Sequence, residues 1–169
     1  ENRWRYENEW PLARTRFTPW YLHSGGNANS AMGDGLLSPL SPGTEGAPGS
    51  ESSVSADRDS YTYDPDHPVP SIGGNTLGIP GGACDHRKVD ERCLTYTSAP
   101  LEKELEVTGP VTLKLWAATS ARDSDFTAKL IDVWPDGFAQ ELCYGIVRAR
   151  YRDSFEAPSL LEPGRAYEY

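Results

Sequence analysis

The chain has 169 residues, long enough for one domain with a core of its own. Sixteen basic against twenty-five acidic residues leave a net charge of −9, which argues against nucleic acid and anionic membrane as partners. Hydrophobic residues make up only 37%, whereas 16 Gly and 14 Pro predict many turns; five Trp and nine Tyr supply large side chains for burial. No apolar run approaches the ~20 residues a spanning helix needs. Cys84, Cys93 and Cys143 are odd in number and lack CxxC spacing. They read as buried free thiols of a reducing compartment, and the expected location is cytoplasmic.

The first segment, Trp4 to Leu22, mixes bulky and polar residues around Pro11 and Pro19. Arg14 to Leu22 is expected as an edge strand, because Pro19 has no N–H for a central ladder. Ser24 to Ser60 differs in kind: 19 of its 37 residues are Gly, Ser or Pro and none is aromatic. It reads as a long flexible surface loop, with Leu36, Leu37 and Leu40 as a short apolar pin. Tyr61 to Gly82 is an extended connector punctuated by proline and glycine. Val69 and Ile79 are each held extended by the proline that follows.

From Cys93 onward the pattern is of strands. Cys93 to Ser98, Leu105 to Val107 and Val111 to Ala118 are expected as strands, the last with alternating apolar and polar residues. Phe126 to Trp134 is apolar on both faces and predicts a central strand. Pro135-Asp-Gly137 predicts a tight turn into Phe138 to Leu142. Ile146 to Tyr151 predicts a strand with Arg148 and Arg150 on one face, and Pro163-Gly164 a last turn. No window carries a convincing 3.6-residue period. Short strands with regular turn signals predict an all-β fold, a sandwich or jelly roll spanning residues 1–169 with a long loop at about 24–60.

Catalytic constellations fail on spacing. There is no Gly-x-Ser-x-Gly elbow. Cys84-Asp85-His86 holds residue types fit for a nucleophilic triad, but consecutive residues do not face one another. Asp57/Asp59, Asp64/Asp66 and Asp123/Asp125 are carboxylates two apart, and none sits in an EF-hand pattern. Asp64-Pro-Asp66 reads as an Asx turn; Asp123 and Asp125 read as loop caps or arginine partners. No catalytic residue, metal site or cofactor is therefore expected. The charge-dense run Asp85-His-Arg-Lys-Val-Asp-Glu-Arg92 is a solvated face by default; as an interdomain ion-pair network its complement would be Arg148, Arg150 and Arg152. Exposed aromatics such as Trp10 and Trp20 are either contacts to another domain or a sugar platform.

The same residues carry a resemblance. Trp10-Pro-Leu with Trp20-Tyr-Leu22, Tyr63-Asp-Pro-Asp-His-Pro-Val-Pro70 with Gly73-Gly74, and Asp85 to Arg92 come first. Leu94-Thr-Tyr-Thr-Ser-Ala-Pro-Leu101, Glu106-Val-Thr-Gly-Pro110, Asp123-Ser-Asp-Phe-Thr-Ala-Lys-Leu130 and Gly145-Ile-Val-Arg-Ala-Arg-Tyr151 follow. Their order resembles the C-terminal β-domain of the cocaine esterase / X-prolyl dipeptidyl-peptidase group of serine hydrolases. The resemblance implies a galactose-binding-like jelly roll without activity of its own. It would pack on an α/β-hydrolase domain carrying the Ser-His-Asp triad and help shape its acyl-binding cleft. Trp10, Trp20, Asp85, His86, Arg87, Arg92, Arg148 and Arg150 are then the expected interface. His86 departs from the family, which commonly has Gln there. The family domain also continues past the position of Tyr169, so the expectation is of a truncated or processed chain, or one completed by another chain or a homo-oligomer. The alternative is a free-standing carbohydrate- or ligand-binding module; a third reading is an enzyme built on Cys84.

Overall fold

The computed structural model describes residues 4–44, 58–74, 81–90 and 92–169. Its regular structure is almost entirely strand, as an all-β chain requires. The elements in chain order are β1 (Tyr21–His23), β2 (Leu36–Ser38), α1 (Arg87–Asp90), β3 (Trp116–Ala117), β4 (Asp125–Val133), β5 (Ala139–Arg148) and β6 (Tyr167–Glu168). A single 3₁₀ turn covers Ala149–Tyr151. All three strand pairs, β1–β2, β3–β6 and β4–β5, are antiparallel. The chain divides into two compact units, one of Glu1–Ser71 with His86–Pro110, the other of Ile72–Asp85 with Val111–Tyr169.

In the first unit, the Trp10–Pro11 peptide is cis and the chain then turns, Thr15 N–H donating to the Leu12 carbonyl. Leu12 is buried there. The strand expected over Arg14 to Leu22 shrinks to β1, beyond Pro19. Its partner β2 lies inside the stretch read as a loop, at the Leu36-Leu37 patch. This part of the loop is built onto the segment that follows Cys93. Thr95 N–H donates to Ala28 O at 2.8 Å, Thr97 N–H to Gly35 O at 3.1 Å, and Leu37 N–H to Thr97 O at 3.1 Å. Cys93 to Ser98 therefore spends its backbone groups on the loop, and only a single bridge, Leu36 to Thr97, results. Ala28 is completely buried in the join. Leu105 to Val107 forms no strand, and both of these apolar side chains face solvent.

The second unit is organised by the β4–β5 hairpin. Gly137 takes a positive φ of 85°, Gly137 N–H donates to Trp134 O, and Asp136 accepts the N–H of Phe138. The two strands expected at Phe138 to Leu142 and Ile146 to Tyr151 are one continuous β5. Leu130 pairs with Cys143 and Ile131 with Glu141, so Leu142 is an extra residue, a bulge that lets the strand bend without ending. The end of the expected strand, Ala149–Tyr151, closes into the 3₁₀ turn instead. Among the described residues β4 pairs with β5 alone, so its two apolar faces do not mark a central strand. Of Val111 to Ala118 only Trp116–Ala117 is strand, extended by reciprocal bonds between Leu115 and Tyr169. Ala139, Ala149 and Leu161 are buried here, and Phe126 packs against Tyr169 with ring centroids 4.7 Å apart.

Candidate functional site

The resemblance segments Tyr63 to Pro70 and Asp85 to Arg92 meet in part within the first unit. Asp64 starts the expected Asx turn: one carboxylate oxygen accepts Asp66 N–H at 3.0 Å, the other lies 2.8 Å from His67 Nδ1. The His67 contact, the first cause, and the backbone N–H of Asp66 hold the Asp64 carboxyl below its ordinary value. Arg92 closes the arrangement by donating from its guanidinium to the His67 carbonyl. Between Tyr61, Tyr63, His67, Arg92 and Asn29 lies an open depression of about 340 Å³. Burial, with the Cys93 thiol nearby, raises the Tyr61 phenol.

The charge-dense run does not stay in one piece. Asp85 belongs to the second unit, where it lies 3.4 Å from Ala139 N–H and bridges to Gln140. Residues from His86 onward belong to the first. Here the absence of helical period gives way to one turn: Val89 N–H donates to His86 O and Arg92 N–H to Val89 O. The turn buries Val89 and leaves Arg87 exposed. His86 is 1% exposed, the largest fully buried side chain among the described residues.

Arg148 and Arg150 are engaged within their own unit. Arg148 binds Asp125 through two hydrogen bonds, and Arg150 binds Asp123, which also accepts Arg150 N–H at 3.0 Å. The arginine pairing expected of these two aspartates is what the structure contains. Arg152 donates to the carbonyls of Ala149 and Ser159 and lies over the Tyr167 ring, 4.3 Å from its centroid. Of the expected interface residues, Trp10 is 67% exposed and Trp20 36%. Trp4, Tyr6 and Phe17 are also largely exposed around them in sequence.

One polar centre was missed by sequence reasoning. Asp59 accepts hydrogen bonds from Ser24 Oγ at 2.6 Å, Tyr96 Oη at 2.6 Å and Ala28 N–H at 2.8 Å. Burial pushes its carboxyl up, but the three donors outweigh it and hold it below the ordinary value. Burial first, then the bond to Asp59, raises the Tyr96 phenol. Only the Asp-x-Asp spacing singled out this residue, and spacing alone does not name the hydroxyls that bind it.

None of Cys84, Cys93 and Cys143 is in a disulfide, and the expected burial does not hold: Cys143 is exposed and the other two are intermediate. Among the described residues no three His, Cys, Asp or Glu side chains gather as a metal would need, and no helix is long and apolar enough to cross a membrane.

The family model for the X-Pro dipeptidyl-peptidase C-terminal non-catalytic domain matches residues 1–169. The chain is 46% identical over 169 residues to the cocaine esterase of Rhodococcus sp. (strain MB1 Bresler), covering 98% of this chain and 28% of that protein. It is 32% identical over 162 residues to proteins of Mycobacterium bovis and Mycobacterium tuberculosis named as candidate serine esterases, covering 94% of this chain and 23% of each. The chain thus spans about a quarter of the length of these relatives. By its match along the whole length, the chain belongs to the family of C-terminal non-catalytic domains found in X-Pro dipeptidyl-peptidases and cocaine-esterase-type serine esterases.

Proposed function

We propose that this chain is the accessory β-domain of a serine hydrolase acting on ester or amide bonds, packed against the α/β-hydrolase domain of the same parent protein and helping to shape its acyl-binding cleft. The reading includes a jelly-roll arrangement of the strands and a cytoplasmic location with all three cysteines as thiols. The observation that carries it is the exposure of large apolar side chains on either side of the Trp10–Pro11 peptide in sequence: Trp4, Tyr6, Trp10 and Phe17 fall in one short segment that leaves them largely uncovered. Large exposed apolar side chains gathered in one segment are the usual material of an interface, and aromatic residues are the anchors that interfaces use most. Trp10, Trp20 and Arg87 are the exposed residues assigned to that contact. His86 is buried, and its carbonyl accepts Val89 N–H at the start of α1. Arg148 and Arg150 would bring a carboxylate each, so the surface they offer is a neutralised pair instead of bare positive charge.

Oxidative footprinting of the intact parent protein tests this. Trp10 (67% exposed) should react faster than Trp134 (48% exposed) if nothing covers either. Packing of the Trp10 segment on the catalytic domain reverses that order. Trp10 reacting as its exposure dictates, or ester turnover by the chain on its own, would overturn the proposal.

A further inference from the structure

Two stretches far apart in sequence converge on the Asp59 carboxylate. Ser24 follows β1 and Ala28 lies in the loop just beyond it, whereas Tyr96 sits between the two threonines that carry the loop's backbone bonds. A fourth tie runs beside it, from Asn29 Nδ2 to Ser60 O at 2.6 Å. Asp34 supports the same loop by accepting the N–H groups of Gly25 and Asn27. Beyond the β1–β2 ladder and the backbone bonds to Thr95 and Thr97, apolar burial adds little: Ala28 and Gly35 are buried but contribute small side chains, and Met32 is almost wholly exposed. A segment with so few buried apolar contacts opens locally unless polar bonds fix it.

We propose that Asp59 is a latch: its carboxylate decides whether residues 24–38 stay docked as a strap on the Thr95–Thr97 segment, and releasing it frees the strap while the rest of the fold persists. Both hydroxyl donors meet the same oxygen, Oδ2, while the other oxygen holds the backbone. One side chain thus ties β1, the loop and the Tyr96 segment together, and charged acceptors make the stronger hydrogen bonds. Opening exposes the N–H groups of Thr95, Thr97 and Leu37, which are bonded only across the strap contact.

Amide hydrogen exchange on the intact protein reads this directly. In Asp59→Ala the amides of Leu37, Thr95 and Thr97 should exchange at least about tenfold faster, whereas those of Leu130 and Cys143 in the β4–β5 ladder stay within about twofold. Tyr96→Phe removes one donor without a cavity, serves if Asp59→Ala folds poorly, and should give the same selective pattern at smaller amplitude. Ser24→Ala should accelerate the reporter amides in the wild-type background and do nothing further in Asp59→Ala, because the two share one bond. Reporter amides that do not change, or that accelerate in step with the β4–β5 ladder, would overturn the latch.

Discussion

Arg148 forks onto Asp125 across the open end of the β4–β5 ladder, with Nε 2.8 Å from one carboxylate oxygen and Nη2 2.9 Å from the other. The two residues are directly opposed in register. The next pair along, Arg150 and Asp123, differs in one respect: Asp123 also accepts a backbone N–H and so fixes the start of the 3₁₀ turn. Asp123 is also the more buried carboxylate, at 20% side-chain exposure against 38%. Asp123→Ala should therefore lower stability by about 1–2 kcal/mol. Asp125→Ala should cost less, and added salt should shrink its effect, since an exposed pair is screened. The Arg148 bonds, against a smaller opposing effect of burial, hold the Asp125 carboxyl below its ordinary value. The contribution of that pair is thus intact above the unfolded carboxylate value and is lost as pH falls through the folded one. Urea unfolding of both variants at two salt concentrations checks the order; Asp125→Ala being the costlier would contradict it.

Tyr96 gives a second pH dependence, of opposite sign. Its phenol is raised by burial and by the bond to Asp59, so the neutral form is favoured in the folded state. A raised folded value means the stability is complete below the unfolded tyrosine value of about 10 and drains away as pH rises beyond it. Wild type should lose stability above that pH faster than Tyr96→Phe, and the two curves should run parallel below it. Chemical denaturation across the alkaline range measures the gap. Parallel curves throughout would mean that the phenolate is accommodated.

Local chemistry made the turns and the hairpin legible. Pro135-Asp-Gly137 dictates a turn because Pro presets φ and Gly137 takes the positive φ, and β4 follows from its apolar run. The bulge at Leu142 was not legible, since one extra residue leaves the local pattern intact and only the partner strand reveals it. The strand expected at Val111 to Ala118 alternates well, yet pairing decides strands, and only its end meets β6. Composition does not tell how residues 24–38 are held: polar side chains, chiefly Asp59 and Asp34, bond there in place of apolar burial. Trp10 and Trp20 were legible as tryptophans outside the core. What Arg148 and Arg150 bind was not, because it depends on the register that sets Asp125 and Asp123 beside them.

Two glycines should respond to alanine in opposite directions. A Cβ on Gly35 would lie 2.0 Å from the Thr95 carbonyl oxygen and 2.9 Å from Ala28 Cβ, so the strap contact must spread to admit it. Gly35→Ala should cost about 1–3 kcal/mol or more, and it should undock the same amides that Asp59→Ala does. Gly145, inside β5 opposite Ala128, has open space where a Cβ would go. Gly145→Ala should stabilise by about 0.5 kcal/mol, because the unfolded chain loses freedom and the strand loses nothing. Thermal melts of the two variants suffice, and a destabilised Gly145→Ala would show that something covers this strand in the intact protein.

Lys129 and Glu141 make a partly buried ion pair, Nζ to Oε2 at 3.0 Å, with the Glu141 side chain 3% exposed and Lys129 31%. Gly74, at a φ of +73°, presses its backbone against the same carboxylate, where a Cβ would stand 2.5 Å from Oε1. The pair sits next to the bulge and so fixes the register where β5 bends. Lys129→Met keeps the aliphatic stem but strips the buried carboxylate of its cation, which should cost about 2 kcal/mol, less than a fully buried pair because Lys129 is partly solvated. Adding Glu141→Gln removes the charge that made the first change expensive, so the double variant should be more stable than Lys129→Met alone. A double variant as unstable as the sum of the two single changes would mean that Lys129 and Glu141 contribute independently.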